Sequence, residues 1–246
     1  MIPAILATSP APTVSERYKF VSTADYVTAF QDNGWHMVEG HNVRSRKADP
    51  AFAKHMVTFS RHDGAQRPDL GGLSPRIHLL NSHNGTSRVQ LVLGILRLVC
   101  SNGLMVSAGE IAEVSFRHDR SARDTAQVVS ELFASDSMRQ IEQADRWQSI
   151  ELTDGERLEF ATKAKEARFG QESNVEPNAL LVPRRNIDTG NTLWQTFNVL
   201  QENIMQGGLR YNGMRRTSRR VTNIDKNVAL NRFLWQTAME FAASRN

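Results

Sequence analysis

The sequence predicts an α+β protein in which an N-terminal antiparallel β-sheet with a buried helix is followed by a mostly helical C-terminal half. Up to about residue 120, short apolar segments resemble strands, whereas from about residue 124 apolar residues recur at helical spacing. The chain has 246 residues, 40% of them hydrophobic, which suits one large domain or one domain with a helical extension. We divide it into a flexible N-terminus (1–15), an α+β core (16–120) and a helical region (121–246) that packs on the core.

The core is predicted to begin with a short helix and three strands. Thr23 is the expected N-cap of the helix, which ends at Asn33-Gly34 and carries apolar residues at helical spacing. Strands are expected over residues 35–39, 52–61 and 76–81. A polar, basic connection separates the first two strands, and a loop with Gly71-Gly72 and two prolines separates the next two.

A buried helix is predicted next, from a cap at Thr86 or Ser87 to about Cys100. Its residues are apolar on most sides, which is typical of a helix at the centre of a core. Asn102-Gly103 would end it. Two further strands are expected over residues 104–106 and 111–118, so the predicted order is β-β-β-α followed by two strands.

Four helices are predicted in the second half. The first runs from about Asp124 to near Ile150, and the second begins at a capping box formed by Thr153 and Glu156. After an irregular stretch (169–183), Thr189 or Asn191 caps a third helix that Gly207-Gly208 closes. A basic loop (207–223) leads to a last helix that begins at Asp225.

Positive charge is concentrated in the last quarter of the chain. The whole chain has 30 Lys and Arg against 26 Asp and Glu, a net charge of +4. Residues 184–246 contain ten basic and four acidic residues, whereas the preceding 183 residues contain 20 basic and 22 acidic ones. Because clustered cations attract polyanions through counterion release, this distribution indicates nucleic acid as a partner.

The densest part of this charge is the basic loop, where no acidic residue occurs between Glu202 and Asp225. Guanidinium groups pair bidentately with phosphate oxygens, so we predict contact with nucleic acid; the alternative is a solvated loop. Flanking cations extend the patch. The candidate nucleic-acid-binding residues of this patch are Arg184, Arg185, Arg210, Arg215, Arg216, Arg219, Arg220 and Lys226, and Lys54 is a further candidate.

A second candidate is the polar loop at residues 81–87, which precedes the predicted buried helix. Free backbone N–H groups at a helix N-terminus favour an anion, and His83 is the histidine most typical of a functional loop. The alternative is a polar turn with a helix cap. The candidate residues of this anion site are Asn81, Ser82, His83, Asn84, Thr86 and Ser87.

The histidines and the cysteine predict neither a metal site nor a catalytic centre. All seven histidines lie between His36 and His118, but none forms a spaced pair typical of metal ligands, and Cys100 is the only cysteine. We therefore expect no cofactor and no enzyme activity. A metal-dependent nuclease or hydrolase that uses His83 and His55 stays the competing hypothesis.

Cysteine content and hydropathy predict a cytoplasmic protein. A single cysteine cannot form an internal disulfide, which favours a reducing compartment. No apolar stretch reaches the roughly 18 residues that a membrane-spanning helix needs.

Resemblances to two groups of known proteins indicate a biological setting. The segments that carry the first resemblance are residues 81–87, 96–104, 198–203, 207–209 and 224–235, and the last of them reads IDKNVALNRFLW. Through these segments the sequence resembles a conserved phage- and plasmid-like protein family of unknown function across nearly the whole chain. The segment Ala29-Phe30-Gln31-Asp32-Asn33-Gly34-Trp35, with the strands after it, is similar to the core of single-strand annealing proteins of the Rad type and their phage counterparts. Only the Asn33-Gly34-Trp35 junction matches that second group, and it is structural. The second resemblance implies that the connection between the first two strands, with the candidate nucleic-acid-binding residues Arg44, Arg46 and Lys47, lies near the DNA groove.

Together these observations predict a DNA-binding protein of a bacteriophage or plasmid. The second resemblance implies binding and annealing of single-stranded DNA in recombination or replication, and assembly into rings or filaments. A protein-interaction factor that acts against a host defence system is a further alternative, in which the basic loop would meet an acidic protein surface.

Overall fold

A computed structural model of the chain describes residues 2–42, 49–61, 72–97, 102–105, 113–116 and 121–245, with no side chains described at 102–105, 113–116 and 134–137. Strands occupy the N-terminal half and helices the C-terminal half. The predicted α+β class is confirmed.

One helix and six strands make up the N-terminal part. The helix is α1 (Thr23–Asp32), and the strands are β1 (Trp35–Asn42), β2 (His55–Arg61), β3 (Leu73–Asn81), β4 (Val89–Arg97), β5 (Asn102–Met105) and β6 (Glu113–Phe116). They form an antiparallel sheet in the order β1-β2-β3-β4-β5, and β6 pairs with the first residues of β4. The strands expected from the sequence are therefore all present, with shifted ends.

The buried helix expected from residue 86 or 87 to about residue 100 is wrong, because residues 89–97 form β4. Leu91 and Leu93 contact the helices on one face of the sheet, while Val92 packs on the opposite face. A strand covered on both faces needs no polar alternation, and its apolar run then resembles a buried helix.

The chain start and α1 also differ from the sequence prediction. Residues 2–15, expected to be flexible, include a short 3-10 helix (Pro3–Leu6) in which Ala4 and Ile5 are buried. The N-cap of α1 is Ser22, whose hydroxyl accepts a hydrogen bond from the Asp25 N–H, while Thr23 is fully buried.

The C-terminal part contains the four expected helices, α2 (Ala122–Gln148), α3 (Asp154–Phe169), α4 (Leu193–Gln206) and α5 (Ile224–Ala243). The predicted capping box of Thr153 and Glu156 is confirmed. The cap of α4 is Thr192 rather than Thr189 or Asn191, and it forms a second capping box with Gln195. None of the helices in the described ranges is long and apolar enough to cross a bilayer.

Three apolar clusters hold these parts together. On the inner face of the sheet, Phe59 and Leu91 pack against α1 and the first half of α2. In the helical part, Trp147, Phe197 and Trp235 lie at the centre of the second cluster. On the outer face, opposite α1 and α2, Met56, Leu80 and Val92 contact Ile224 and Val228 of α5.

A buried ion pair joins the sheet to the helical part. The Arg97 side chain on β4 and the Asp188 side chain are 1% and 2% exposed. Arg97 Nη1 and Nη2 lie 2.9 and 2.8 Å from the two carboxylate oxygens. Loss of either partner would leave a buried charge uncompensated, so the pair fixes how β4 meets the segment before α4.

Candidate nucleic-acid interface

The basic loop folds as a short β-ribbon between α4 and α5, which we call the basic ribbon (residues 207–220). Gly208 N–H donates to Ser218 O at 2.8 Å and Ser218 N–H donates to Leu209 O at 2.8 Å. Arg210 and Thr217 form the next antiparallel bridge. At the tip, Met214 N–H donates to Tyr211 O at 3.0 Å, and Gly213 has a φ of 73°. Positive φ favours glycine at this turn position.

Alternation along the ribbon turns Arg210 and Thr217 outward. Leu209 and Ser218 are buried, and Leu209 belongs to the helical core cluster. Ser218 Oγ accepts a hydrogen bond from Leu209 N–H at 3.1 Å. Arg210 and Thr217, the next pair, are exposed. The inward pair therefore anchors the ribbon while the outward residues face solvent.

Gly207 allows the base of the ribbon to close. Its φ is 72°, and a Cβ atom there would lie 2.7 Å from backbone atoms of Ser218 and Arg219. A side chain at this position would separate the two chain segments. The glycine is therefore needed both for its conformation and for the close approach.

The five arginines of the ribbon are all exposed. They are Arg210, Arg215, Arg216, Arg219 and Arg220. Among the described residues, none of them lies within 4.0 Å of a carboxylate oxygen. One carboxylate does approach the tip, where Glu176 Oε1 accepts a hydrogen bond from Asn212 Nδ2 at 2.6 Å. The ribbon therefore keeps its positive charge at the surface.

Aromatic rings and guanidinium groups alternate beside the ribbon. The Arg216 guanidinium lies 4.7 Å from the centroid of the Tyr211 ring, and Tyr211 meets Phe169 edge to face at 6.0 Å. The Arg168 guanidinium lies 5.2 Å from the Phe169 ring. We call Arg168, Phe169, Tyr211 and Arg216 the aromatic–arginine stack. Such stacks offer flat surfaces on which a base can pack.

Two more cations lie next to the ribbon. Arg168 Nη2 donates to Arg219 O at 3.0 Å, and Lys226 Nζ donates to Arg168 O at 3.3 Å. Burial lowers the pKa of Arg168, and burial together with the charge of Arg168 lowers the pKa of Lys226. Like charges held together in this way favour an anion as a neighbour.

The other predicted basic residues have different surroundings. Arg184 lies at the base of the ribbon, where it donates to Gly207 O and to Asn203 Oδ1. Arg185 forms a bidentate pair with Glu202, and Lys54 pairs with Asp225. These two charges are neutralised by the protein itself, so they do not add to the exposed set. Arg44, Arg46 and Lys47 lie outside the described residues.

Three residues beside the ribbon, Arg168, Phe169 and Tyr211, were not among those predicted from the sequence. Arg168 and Phe169 end α3, far along the chain from the ribbon, and their position depends on tertiary packing. The sequence did contain a signal for Tyr211. An aromatic residue between arginines in a polar loop is unlike a core residue and is typical of a surface on which bases stack.

The polar loop at residues 81–87 is not the start of a helix, so the predicted anion site loses the N–H groups on which it depended. Asn81, Ser82 and His83 are fully buried. The remaining polar atoms bond within the loop: Thr86 Oγ1 donates to Asn84 Oδ1 at 2.6 Å, and Ser87 N–H donates to Ser82 Oγ at 3.0 Å.

A buried network centred on Thr23 uses the polar side chains of this region. His55 Nδ1 donates to Ala53 O at 2.9 Å, so its Nε2 accepts the Thr23 hydroxyl proton at 2.8 Å. Thr23 Oγ1 in turn accepts from Asn81 Nδ2 at 3.1 Å. Burial, and to a smaller extent the nearby charge of His83, lowers the pKa of His55 to about 4. His55 is therefore neutral at physiological pH, and the network holds α1 to the sheet.

His83 extends this network to the chain start. Its Nε2 atom lies 2.9 Å from Ala4 O, and its ring lies 5.1 Å from the ring of His55. These contacts explain why the first residues are packed. They also leave both imidazoles buried and bonded, in contrast to the exposed position that the hydrolase hypothesis requires of a catalytic base.

The other histidines in the described ranges do not converge on a metal site. His78 on the outer face contacts Thr58 Oγ1 at 3.0 Å, and burial lowers its pKa to about 3. His62 and His118 lie outside the described residues. Within the ranges that the structure covers, no group of three or more His, Cys, Asp or Glu side chains could hold a metal ion.

Comparisons with known proteins give a family for this arrangement. A sequence profile described as "Domain of unknown function (DUF932)" matches residues 11–235. Two relatives from Escherichia coli (strain K12), UPF0380 protein YafZ and UPF0380 protein YfjQ, are each 33% identical over 247 residues, covering 97% of this chain and 87% of the relative. No solved structure matches the chain.

Proposed function

The chain belongs to the family described as a domain of unknown function (DUF932), and from this premise we propose that it binds nucleic acid on the basic ribbon, with single-stranded DNA as the ligand. The observation that carries the proposal is the set of five exposed arginines on an anchored ribbon, none of them paired with a carboxylate in the described part of the chain. Phosphate oxygens are the acceptors that such guanidinium groups bind best.

The anchoring supports binding over simple solvation. Leu209 and Ser218 fix the ribbon from below, and Gly207 closes its base. Arginines presented by a fixed backbone lose less conformational freedom on binding than arginines in an unattached loop. Arg168, Arg184 and Lys226 extend the positive surface around the ribbon.

The aromatic–arginine stack favours a single strand as the ligand. Tyr211 is half-buried and Arg216 is exposed, so a base could stack on the outer side of the Arg216 guanidinium. Bases of a single strand are free to stack on protein groups, whereas bases of a duplex already stack on each other.

The biological setting forms part of the proposal. The resemblance to phage and plasmid proteins, and to single-strand annealing proteins, supports a role in recombination or replication of a mobile element. We also propose assembly into rings or filaments and action in the cytoplasm.

Fluorescence anisotropy with a labelled single-stranded oligonucleotide, titrated at several salt concentrations, tests the proposal. Single-strand affinity falls with salt by a logarithmic slope of about 0.7 per phosphate contact, so five contacts give a slope of about 3 to 4. A duplex of the same sequence is the comparison ligand and should bind more weakly. Absent or salt-insensitive binding would contradict the proposal.

A further inference from the structure

A cleft of about 170 Å³ lies between the outer face of the sheet and the first turns of α5. Leu80 and Gln90 are cross-strand partners on β3 and β4, and Val92 lies two residues further along β4 on the same face. The helix contributes residues spaced i, i+3, i+4 and i+7, which share one side of α5. The walls are Leu80, Gln90, Val92, Asp225, Val228, Ala229 and Arg232.

The cleft has apolar walls and a polar edge. Leu80, Val92 and Val228 also belong to the apolar cluster on the outer face of the sheet. Ala229 extends only a methyl group from the helix, so the gap beside that cluster is not filled. The amide of Gln90 and the carboxylate of Asp225 supply hydrogen-bonding groups in the remaining lining.

These features suit one aromatic heterocycle. A cavity of about 150 Å³ holds a benzene ring, so this cleft accommodates a single ring but not a whole nucleotide. Flat apolar ring faces match the aliphatic walls, and a side-chain amide and a carboxylate complement the donors and acceptors on a base edge. We infer that the cleft binds one unstacked nucleobase, of pyrimidine size.

This inference rests on the proposed function, and the position of the cleft links the two. Lys226, which follows Asp225, contacts Arg168, and Arg168 contacts Arg219. A continuous path of contacts therefore joins the ribbon to the turn of α5 that opens the cleft. A strand whose phosphates lie on the ribbon would present a base to the cleft.

Filling the cleft is the direct test. Ala229 is exposed, and leucine is a good helix former, so Ala229→Leu should block the cleft without disturbing α5. Ala243→Leu, at an exposed alanine about 21 Å further along the same helix, is the matched control. The probes are oligothymidine and an abasic phosphodeoxyribose chain of equal length. Ala229→Leu should lower the affinity for oligothymidine about tenfold and leave the abasic chain unaffected.

A second variant and a second probe separate the cleft from the ribbon. Gln90→Ala should weaken oligothymidine binding without filling the cleft, and saturation-transfer NMR should detect free thymidine on the wild type but not on Ala229→Leu. Equal affinities of Ala229→Leu and Ala243→Leu for oligothymidine would overturn the inference while leaving the ribbon proposal intact. If the wild type binds neither oligothymidine nor the abasic chain, the ribbon proposal fails. If the NMR experiment then also shows no thymidine signal, the cleft inference fails as well.

Discussion

The polar loop at residues 81–87 and the basic ribbon at residues 207–220 are both polar connections between regular elements, but their side chains face opposite environments. Ser82 and His83 are fully buried, whereas the ribbon arginines are exposed. Hydroxyl, amide and neutral imidazole groups can be satisfied inside a protein by hydrogen bonds alone. A guanidinium group needs a carboxylate as well, because an unpaired buried charge costs several kcal/mol.

Two arginines away from the ribbon obey the same rule. Arg97 is buried with Asp188, and Arg185 is partly buried with Glu202, whose side chain is 7% exposed. No acidic residue occurs between Glu202 and Asp225, so the ribbon has no local carboxylate with which to bury its charges. The polar loop is therefore a structural element, and the ribbon is available for an external anion.

Removal of the Thr23 hydroxyl should have the largest effect, and on stability alone. Thr23→Val leaves His55 Nε2 and Asn81 Nδ2 without their shared partner in a buried site. We expect the free energy of unfolding to fall by about 3 kcal/mol. Thr28→Val, at an exposed position of the same helix, is the control. Chemical denaturation measures the loss. A parallel loss of oligonucleotide affinity by the folded variant would contradict a purely structural role of the polar loop and its network.

Acid should destabilise the protein through the same buried network. The folded-state pKa of His55 is about 4, against an ordinary value of 6.5, so the unfolded chain binds the proton more readily. The stability that the neutral His55 contributes is complete above pH 6.5 and is lost as the pH falls towards 4. The free energy of unfolding should therefore fall by about 2 kcal/mol between pH 7 and pH 5. His78 acts in the same direction at lower pH. Urea midpoints across this range, for the wild type and His55→Gln, would show a smaller acid loss in the variant.

Gly207 and Gly213 sharpen the comparison within the ribbon. Both have positive φ, but a Cβ atom meets backbone at 2.7 Å at Gly207 and nothing within 4 Å at Gly213. Gly213→Ala should therefore cost about 1 kcal/mol from backbone conformation, and Gly207→Ala about 2 kcal/mol or more. Thermal melts compare the two, and equal losses would contradict the close approach at the ribbon base.

The smallest expected effect concerns the aromatic–arginine stack. Tyr211→Ala removes the ring against which Arg216 packs but no charge. Single-strand affinity should fall about fivefold, and duplex affinity should change little. Anisotropy with both ligands measures the ratio; a fall of equal size for both would argue against base stacking.

Local signals in the sequence predicted most elements but not all of their types. Capping residues and helical periodicity are short-range, which is why Thr153 with Glu156 correctly marked the start of α3. The apolar run at residues 89–97 carries no such signal, since a strand covered on both faces and a buried helix have the same composition. Misassigning β4 also led to the predicted anion site, whose argument required a helix N-terminus at this position.

The proposed interface was predictable in its charges but not in its geometry. The absence of acidic residues between Glu202 and Asp225 is enough to single out the five ribbon arginines from the sequence alone. Pairings over long sequence separations, such as Arg185 with Glu202, Lys54 with Asp225 and Arg168 with Arg219, depend on the fold. The pairings with Glu202 and Asp225 determine which cations are neutralised by a carboxylate and which keep their charge at the surface.

The most direct test compares two pairs of exposed arginines. Arg215→Ala with Arg219→Ala removes two ribbon charges, whereas Arg123→Ala with Arg139→Ala removes two charges from α2. Single-strand affinity is measured by anisotropy over a salt series. The ribbon double variant should bind about thirtyfold more weakly and lose about 1.4 from the logarithmic salt slope, while the α2 double variant stays near the wild type. Equal affinities and slopes for the two double variants would contradict the assignment of the ribbon as the binding surface.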